Sequence, residues 1–165
     1  MSGHEGVIAR LAEAGFDLPA AMPAVAAYVP TVATPFGQGM LVHVAGQGPF
    51  RDGRLEFVGR IGDGINLEVA RRSAELVTLN VLAQVAAATD GHYGAPSLHR
   101  VRCVRLGVFL NCIDGFEVLD TIADAASKIV VAAFEEKGQH CRSVVGKPVL
   151  PMDTSVEIDG IFLLD

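Results

Sequence analysis

A chain of 165 residues, half of them apolar and 19% charged, suits one folded domain with a sizeable core. Eight Phe, two Tyr and no Trp make that core aliphatic. The formal net charge of −6 argues against a nucleic-acid partner, which calls for a basic face, and no run reaches the roughly 20 apolar residues that span a bilayer. Val7, Ile8, Leu11 and Ala14 recur at helical spacing, so a short amphipathic helix is predicted over Gly6–Gly15, ended by Gly15. Leu18 to Pro23 reads as a connector, Ala26 to Val32 as a strand, and Met40 to Ala45 as a clearer strand broken by Gly46-Gln47-Gly48-Pro49. Asp52-Gly53 is a turn signal.

A long helix is predicted from Asn66, a plausible N-cap, to about Thr89. Its apolar stripe is Leu67, Ala70, Ala74, Val77 and Val81, with Glu68 and Arg72 at supporting i, i+4 spacing on the other side. Arg100 to Asn111 reads as a strand with Arg100 and Arg102 on one face and Arg105 on the other. A second long helix runs from Phe116 to Lys137 and stops at Gly138. Its stripe joins Phe116, Leu119, Ile122, Ala123, Ala126, Ile129, Val130 and Ala133. Two more strands are expected near Ser143–Val149 and Thr154–Leu163. The order implies an α+β fold: a single mixed β-sheet with two long helices packed on one face. If the other face is not fully polar it needs a partner, and oligomerisation is the simplest one.

Few residues have the chemistry of a site. Arg142 enters a strand, and its planar fork suits a carboxylate or phosphate; it also suits a local acid. Glu157 alternates with Val156 and Ile158, so it shares a face with Asp159 and reads as a general base, a water holder or an exposed strand residue. His43 reads as a core-edge histidine, with Gln47 near enough for a polar cluster. No HExxH motif occurs, so no metal site is expected, and no GxSxG, Walker or dinucleotide pattern is present. Cys103, Cys112 and Cys141 are odd in number without a CxxC, and read as free thiols of a reducing compartment. No basic segment followed by an apolar stretch opens the chain, and the expectation is a soluble cytoplasmic protein with no membrane partner.

Several motifs agree with one another. Tyr28-Val29-Pro30, Gly46-Gln47-Gly48-Pro49, a long helix with Asn80 and Leu82, Cys141-Arg142-Ser143-Val144-Val145, Leu150-Pro151 and Val156-Glu157-Ile158 occur in the order seen in the RidA/YjgF family. The chain resembles that family over about residues 28–163, most closely a longer branch labelled endoribonuclease L-PSP-like. Residues 1–25 read as an N-terminal helical extension, and 26–165 as the family domain.

The resemblance implies a chorismate-mutase-like fold, a homotrimer with clefts between subunits, and no cofactor. In its archetypal branch it implies hydrolysis of enamines and imines such as 2-aminoacrylate to keto acids and ammonia. Carried over, Arg142 would clamp a small carboxylate ligand, Glu157 would position or activate water, Tyr28 would border the cleft, and Gly46 would let backbone approach the ligand. Ala45 stands where the family has Ser, Val144 where it has Cys, and the place of a helical Asn falls to Asp124 or Ser127. Those departures keep a second function open, a non-catalytic binding protein for small carboxylates. A ribonuclease, the third reading, is opposed by the acidic charge.

Overall fold

The structure is a computed structural model that describes residues 3–165, so residues 1–2 of the predicted 1–25 extension lie outside the described residues. Helix α1 (Glu5–Glu13) buries Val7 and Leu11 in the common core. Its Arg10 donates from Nε and Nη2 to the Ala133 carbonyl at 3.0 and 2.7 Å. That carbonyl belongs to the last turn of a later helix, where a cation is favoured.

The strand predicted from Ala26 forms further along, as β1 (Thr31–Phe36). Pro30 has no N–H to give to a ladder, and the chain bends through residues 25–28 before it. The Pro30 carbonyl instead accepts the Ala45 N–H at 2.9 Å. Strand β2 (Gly39–Gln47) follows, and then the small hairpin of β3 (Phe50–Arg51) and β4 (Arg54–Leu55). Its turn is Asp52-Gly53 with φ of 50° and 75°, the left-handed pair that this dipeptide favours. Strands β5 (Arg60–Ile61) and β6 (Gly64–Ile65) make a second, parallel miniature ladder.

Helix α2 (Leu67–Tyr93) starts where Asn66 accepts the Val69 N–H at 2.9 Å and ends on left-handed Gly94. Asn66→Ala is expected to cost about 1 kcal/mol, or about 2–4 °C of melting temperature; an unchanged melting temperature would contradict the cap. The single-stripe expectation is too narrow here. Leu67 is exposed, whereas residues 76–86 are buried around the whole circumference. Sheet, neighbouring helix and the N-terminal connector all cover α2, which a stripe count does not anticipate. Glu68 reaches Arg71 at 4.0 Å, not Arg72.

Strand β7 (Val101–Asn111) leads to α3 (Leu119–Phe134), a short 3-10 turn over Glu135–Gly138, β8 (Cys141–Lys147) and β9 (Val156–Leu164). Helix α3 is shorter than predicted, and Phe116 sits in the loop before it. The main sheet has the order β1-β2-β9-β7-β8, antiparallel except for the parallel β7–β8 pair. Both long helices cover one face. There Val156, Ile158, Phe162 and Leu164 of β9 pack fully buried with Leu106, Val108 and Leu110 of β7.

A bulge at Val104 re-phases β7, so that Arg102 lies opposite Leu163 and Arg105 opposite Ile161. Both arginines therefore share the open face, contrary to strict alternation. Arg105 there pairs with Asp159 at 3.4 Å. The open face is not polar. Val32, Phe36 and Val145 are exposed on it, and Ile161 and Leu163 are half-buried. His43 also projects there, opposite Ile161, exposed and without a hydrogen bond among the described residues, so it is not a satisfied core-edge histidine.

Candidate functional site

Strand β2 loses its alternation at its end. Between the pairs Val44–Gly160 and Gln47–Ile158, β2 spends two residues, Ala45 and Gly46, against one of β9. This bulge turns Gln47 toward α2. It also leaves Gly46 beneath the Glu157 side chain, where a β-carbon would collide with Glu157 Oε1. The glycine is needed for that close approach, not for an unusual backbone angle.

Beside the bulge lies a cavity of about 430 Å³. Glu157, Gly46, Ala45 and Tyr28 all line it. Its floor is α2, from which Asn80 donates to the Gly48 and Phe50 carbonyls at 3.0 and 2.9 Å. Gln84, one turn on, donates to the Met22 carbonyl at 2.6 Å and reaches Gln47 Oε1 at 3.5 Å. Asn80 and Gln84 are buried polar residues at i, i+4 in an apolar helical run. That polar interruption of an apolar helical run is the sequence signal for this wall. The connector from Met22 to Pro30 forms the opposite wall.

Burial, reinforced by the nearby Asp159 charge, raises the Glu157 carboxyl above the ordinary glutamate range. Such a group can take a proton from water nearer neutral pH than an exposed carboxylate does. The cavity lining contains no Lys, Arg or His. The Cys103 thiol, buried under the sheet, is pushed up to about 12, which leaves it an inert core residue. All three cysteines are free.

Arg142 is elsewhere in the chain. It sits opposite Leu106, on the helix side of edge strand β8, whereas Glu157 sits opposite Phe109 on the open side of β9. One chain does not bring the two together. Arg142 Nη2 meets Asp124 Oδ1 at 2.7 Å and Asp120 Oδ1 at 3.5 Å, and Nη1 donates to Ser127 Oγ at 3.0 Å. Asp120, Asp124 and Ser127 are spaced i, i+4, i+7 on one face of α3. Both residues that compete for the family's helical Asn position therefore touch the guanidinium.

Ser127 Oγ, which accepts from Arg142, also meets His140 Nε2 at 3.0 Å. His140 Nδ1 faces the Gly138 carbonyl at 2.6 Å and must donate to it. Val144, two residues past Arg142, lies on the same side of β8 and packs against the core. Among the described residues no group of three His, Cys, Asp or Glu side chains is placed to hold a metal, and no helix is long and apolar enough to cross a membrane.

A single mixed sheet with its helices on one face and a carboxylate cavity at a bulged strand end defines a YjgF-like α+β protein. A family model described as YjgF/chorismate mutase-like, putative endoribonuclease, matches residues 8–162, and the chain belongs to this RidA/YjgF family. The chain is 34% identical over 161 residues to Protein TCP17 of Trypanosoma cruzi, covering 96% of this chain and 94% of that protein. It is 36% identical to the crystal structure of Atu1372, a protein of unknown function from Agrobacterium tumefaciens, with a TM-score of 0.84 over 98% and 94% of the two chains. The fold is shared with Escherichia coli TdcF solved with bound serine, at 23% identity and a TM-score of 0.59 over 88% and 94% of the chains.

Proposed function

We propose that the protein hydrolyses small carboxylate-bearing enamines and imines, of the 2-aminoacrylate type, to 2-keto acids and ammonia. The observation that carries this reading is the Glu157 carboxyl, half-buried against Gly46 in a cavity, with its proton affinity raised by burial. An enamine first takes a proton on its terminal carbon and becomes the iminium. Water attacks the iminium carbon while Glu157 takes one of its protons, giving the carbinolamine. Glu157 returns that proton to nitrogen; the C–N bond then breaks as the O–H electron pair closes to C=O, and the hydroxyl proton passes through Glu157 to the departing ammonia. No redox partner is needed.

The cavity has no cation of its own for the substrate carboxylate. Arg142 supplies it from a second copy docked on the apolar open face, in a homotrimer with three such clefts. The exposed Val32, Phe36 and Val145 support this docking, since an unpartnered antiparallel face is ordinarily polar. In that assembly the ligand carboxylate competes with Asp124 for the guanidinium fork. The serine bound to TdcF is a carboxylate of comparable size on the same fold. The reading predicts faster ammonia release from 2-aminoacrylate generated in situ than in buffer, by the purified protein. Release no faster than in buffer would sink it for that substrate.

A second reading is a non-catalytic binding protein for small carboxylates. Ala45 brings no hydroxyl to the cavity, and Arg142 is already neutralised by Asp124. Thermal stabilisation by keto acids without turnover would favour it. A phosphodiester substrate is disfavoured by a cavity without a basic side chain and by the charge of −6.

A further inference from the structure

We infer that the cavity selects imino and keto acids with an uncharged apolar side chain of about four carbons or more, and that the Met22–Tyr28 segment sets this preference. The inference rests on the proposed reaction at Glu157 and names the substrate class for it. Three observations carry it.

The first is size. About 430 Å³ falls within the roughly 300–1,000 Å³ of sites that enclose drug-sized ligands. A three-carbon acid held at Glu157 leaves most of that space to water. The second is position. Contacts lead from Glu157 over Gly46 to Gln47, then to Gln84 and the Met22 carbonyl. The space therefore extends away from the reacting carbon toward the connector, where a substrate side chain would go.

The third is chemistry. The walls at that end are Met22, Pro23 and Val25, with Phe50 beside Asn80's acceptor carbonyl. Both Asn80 amide protons go to backbone carbonyls, and Gln84 gives its own to the Met22 carbonyl and to Gln47 Oε1. No lining cation can meet a second acid group. A distal carboxylate or phosphate would be buried unpaired, which is costly, whereas an alkyl or phenyl group displaces poorly held water. The wall is built to persist: Gln84 ties Met22 to α2, and the Ala45 N–H ties Pro30 to β2.

The test uses the full-length protein in its native assembly and titrates keto-acid products by calorimetry. The probes are pyruvate, 2-oxobutanoate, 4-methyl-2-oxopentanoate, phenylpyruvate and 2-oxoglutarate. The branched six-carbon acid is expected to bind at least about tenfold tighter than pyruvate, since each methylene in an apolar pocket is worth about tenfold or more. 2-Oxoglutarate is expected to gain nothing over pyruvate. Ala24→Phe, which fills the cavity from the connector, should shrink the six-carbon to three-carbon affinity ratio about tenfold. If that variant does not fold, Met22→Ala should lower the same ratio by removing apolar wall. Equal affinities, or preference for 2-oxoglutarate, with imine hydrolysis intact would overturn the side-chain inference alone. No binding of any keto acid and no hydrolysis of any imine would overturn the reaction with it.

Discussion

Glu157→Gln is expected to slow imine hydrolysis by about 100-fold or more while making the folded protein more stable at neutral pH. The rate loss follows from removing the one group in the cavity able to accept a proton from water. The gain in stability follows from linkage. Burial, then the Asp159 charge, raises the folded Glu157 pKa above its unfolded value. A carboxyl raised in this way stabilises the fold below its unfolded pKa, and that contribution is lost as pH rises through its folded pKa. At neutral pH the folded chain bears the cost of holding the ionised form, which a neutral glutamine avoids.

The pH–rate profile gives the same assignment a second reading. Activity needs ionised Glu157, so its acid limb should lie above the ordinary glutamate range. Asp159→Asn removes the second cause of the shift and should move that limb to lower pH. The same variant takes from Arg105 its partner at 3.4 Å. A profile identical in both proteins would show that another group sets the limb.

Arg142→Ala should weaken carboxylate binding about 10- to 150-fold, the worth of about 1.5–3 kcal/mol for a charge-assisted contact. Arg142→Lys should recover only part, because an ammonium cannot present the two parallel donors of the fork. The alanine variant also leaves Asp120 and Asp124 on α3 without their cation. Both acids are well exposed, so the loss of stability should be small beside the loss of binding. The ratio of those two losses, from melting and ligand titration on one sample, separates a clamp from a structural ion pair. A large drop in melting temperature with ligand affinity unchanged would make Arg142 structural.

Much of the architecture was legible because the periodic signals are strong. Both long helices, the Asn66 cap, the Asp52-Gly53 turn and the strand at Val156–Leu164 lie close to where their residue patterns place them. The misses have local causes. Pro30 delays β1, and the bulges at Val104 and at Ala45-Gly46 re-phase two strands, which strict alternation cannot foresee. In the candidate site the motifs named Tyr28, Ala45, Gly46 and Glu157, and these meet in one cavity. The rest of that cavity comes from Met22, Asn80 and Gln84, which pack together only after the connector folds back over α2. A motif also cannot say on which side of the sheet a residue emerges. Arg142 and Glu157 leave opposite faces, a consequence of strand order and register.

That separation is what makes the shared site testable. If Arg142 and Glu157 act on one ligand, they come from different copies, and two dead variants should complement each other. Chains carrying Arg142→Ala and chains carrying Glu157→Gln, co-expressed in equal amounts and purified as one unsorted pool, are assayed for ammonia release from an imine generated in situ. Random mixing in a ring of three equivalent interfaces returns one intact pair in about four, so about a quarter of wild-type turnover is expected. Turnover no higher than that of either variant alone, in oligomers shown by native mass to contain both chains, would contradict a site shared between subunits.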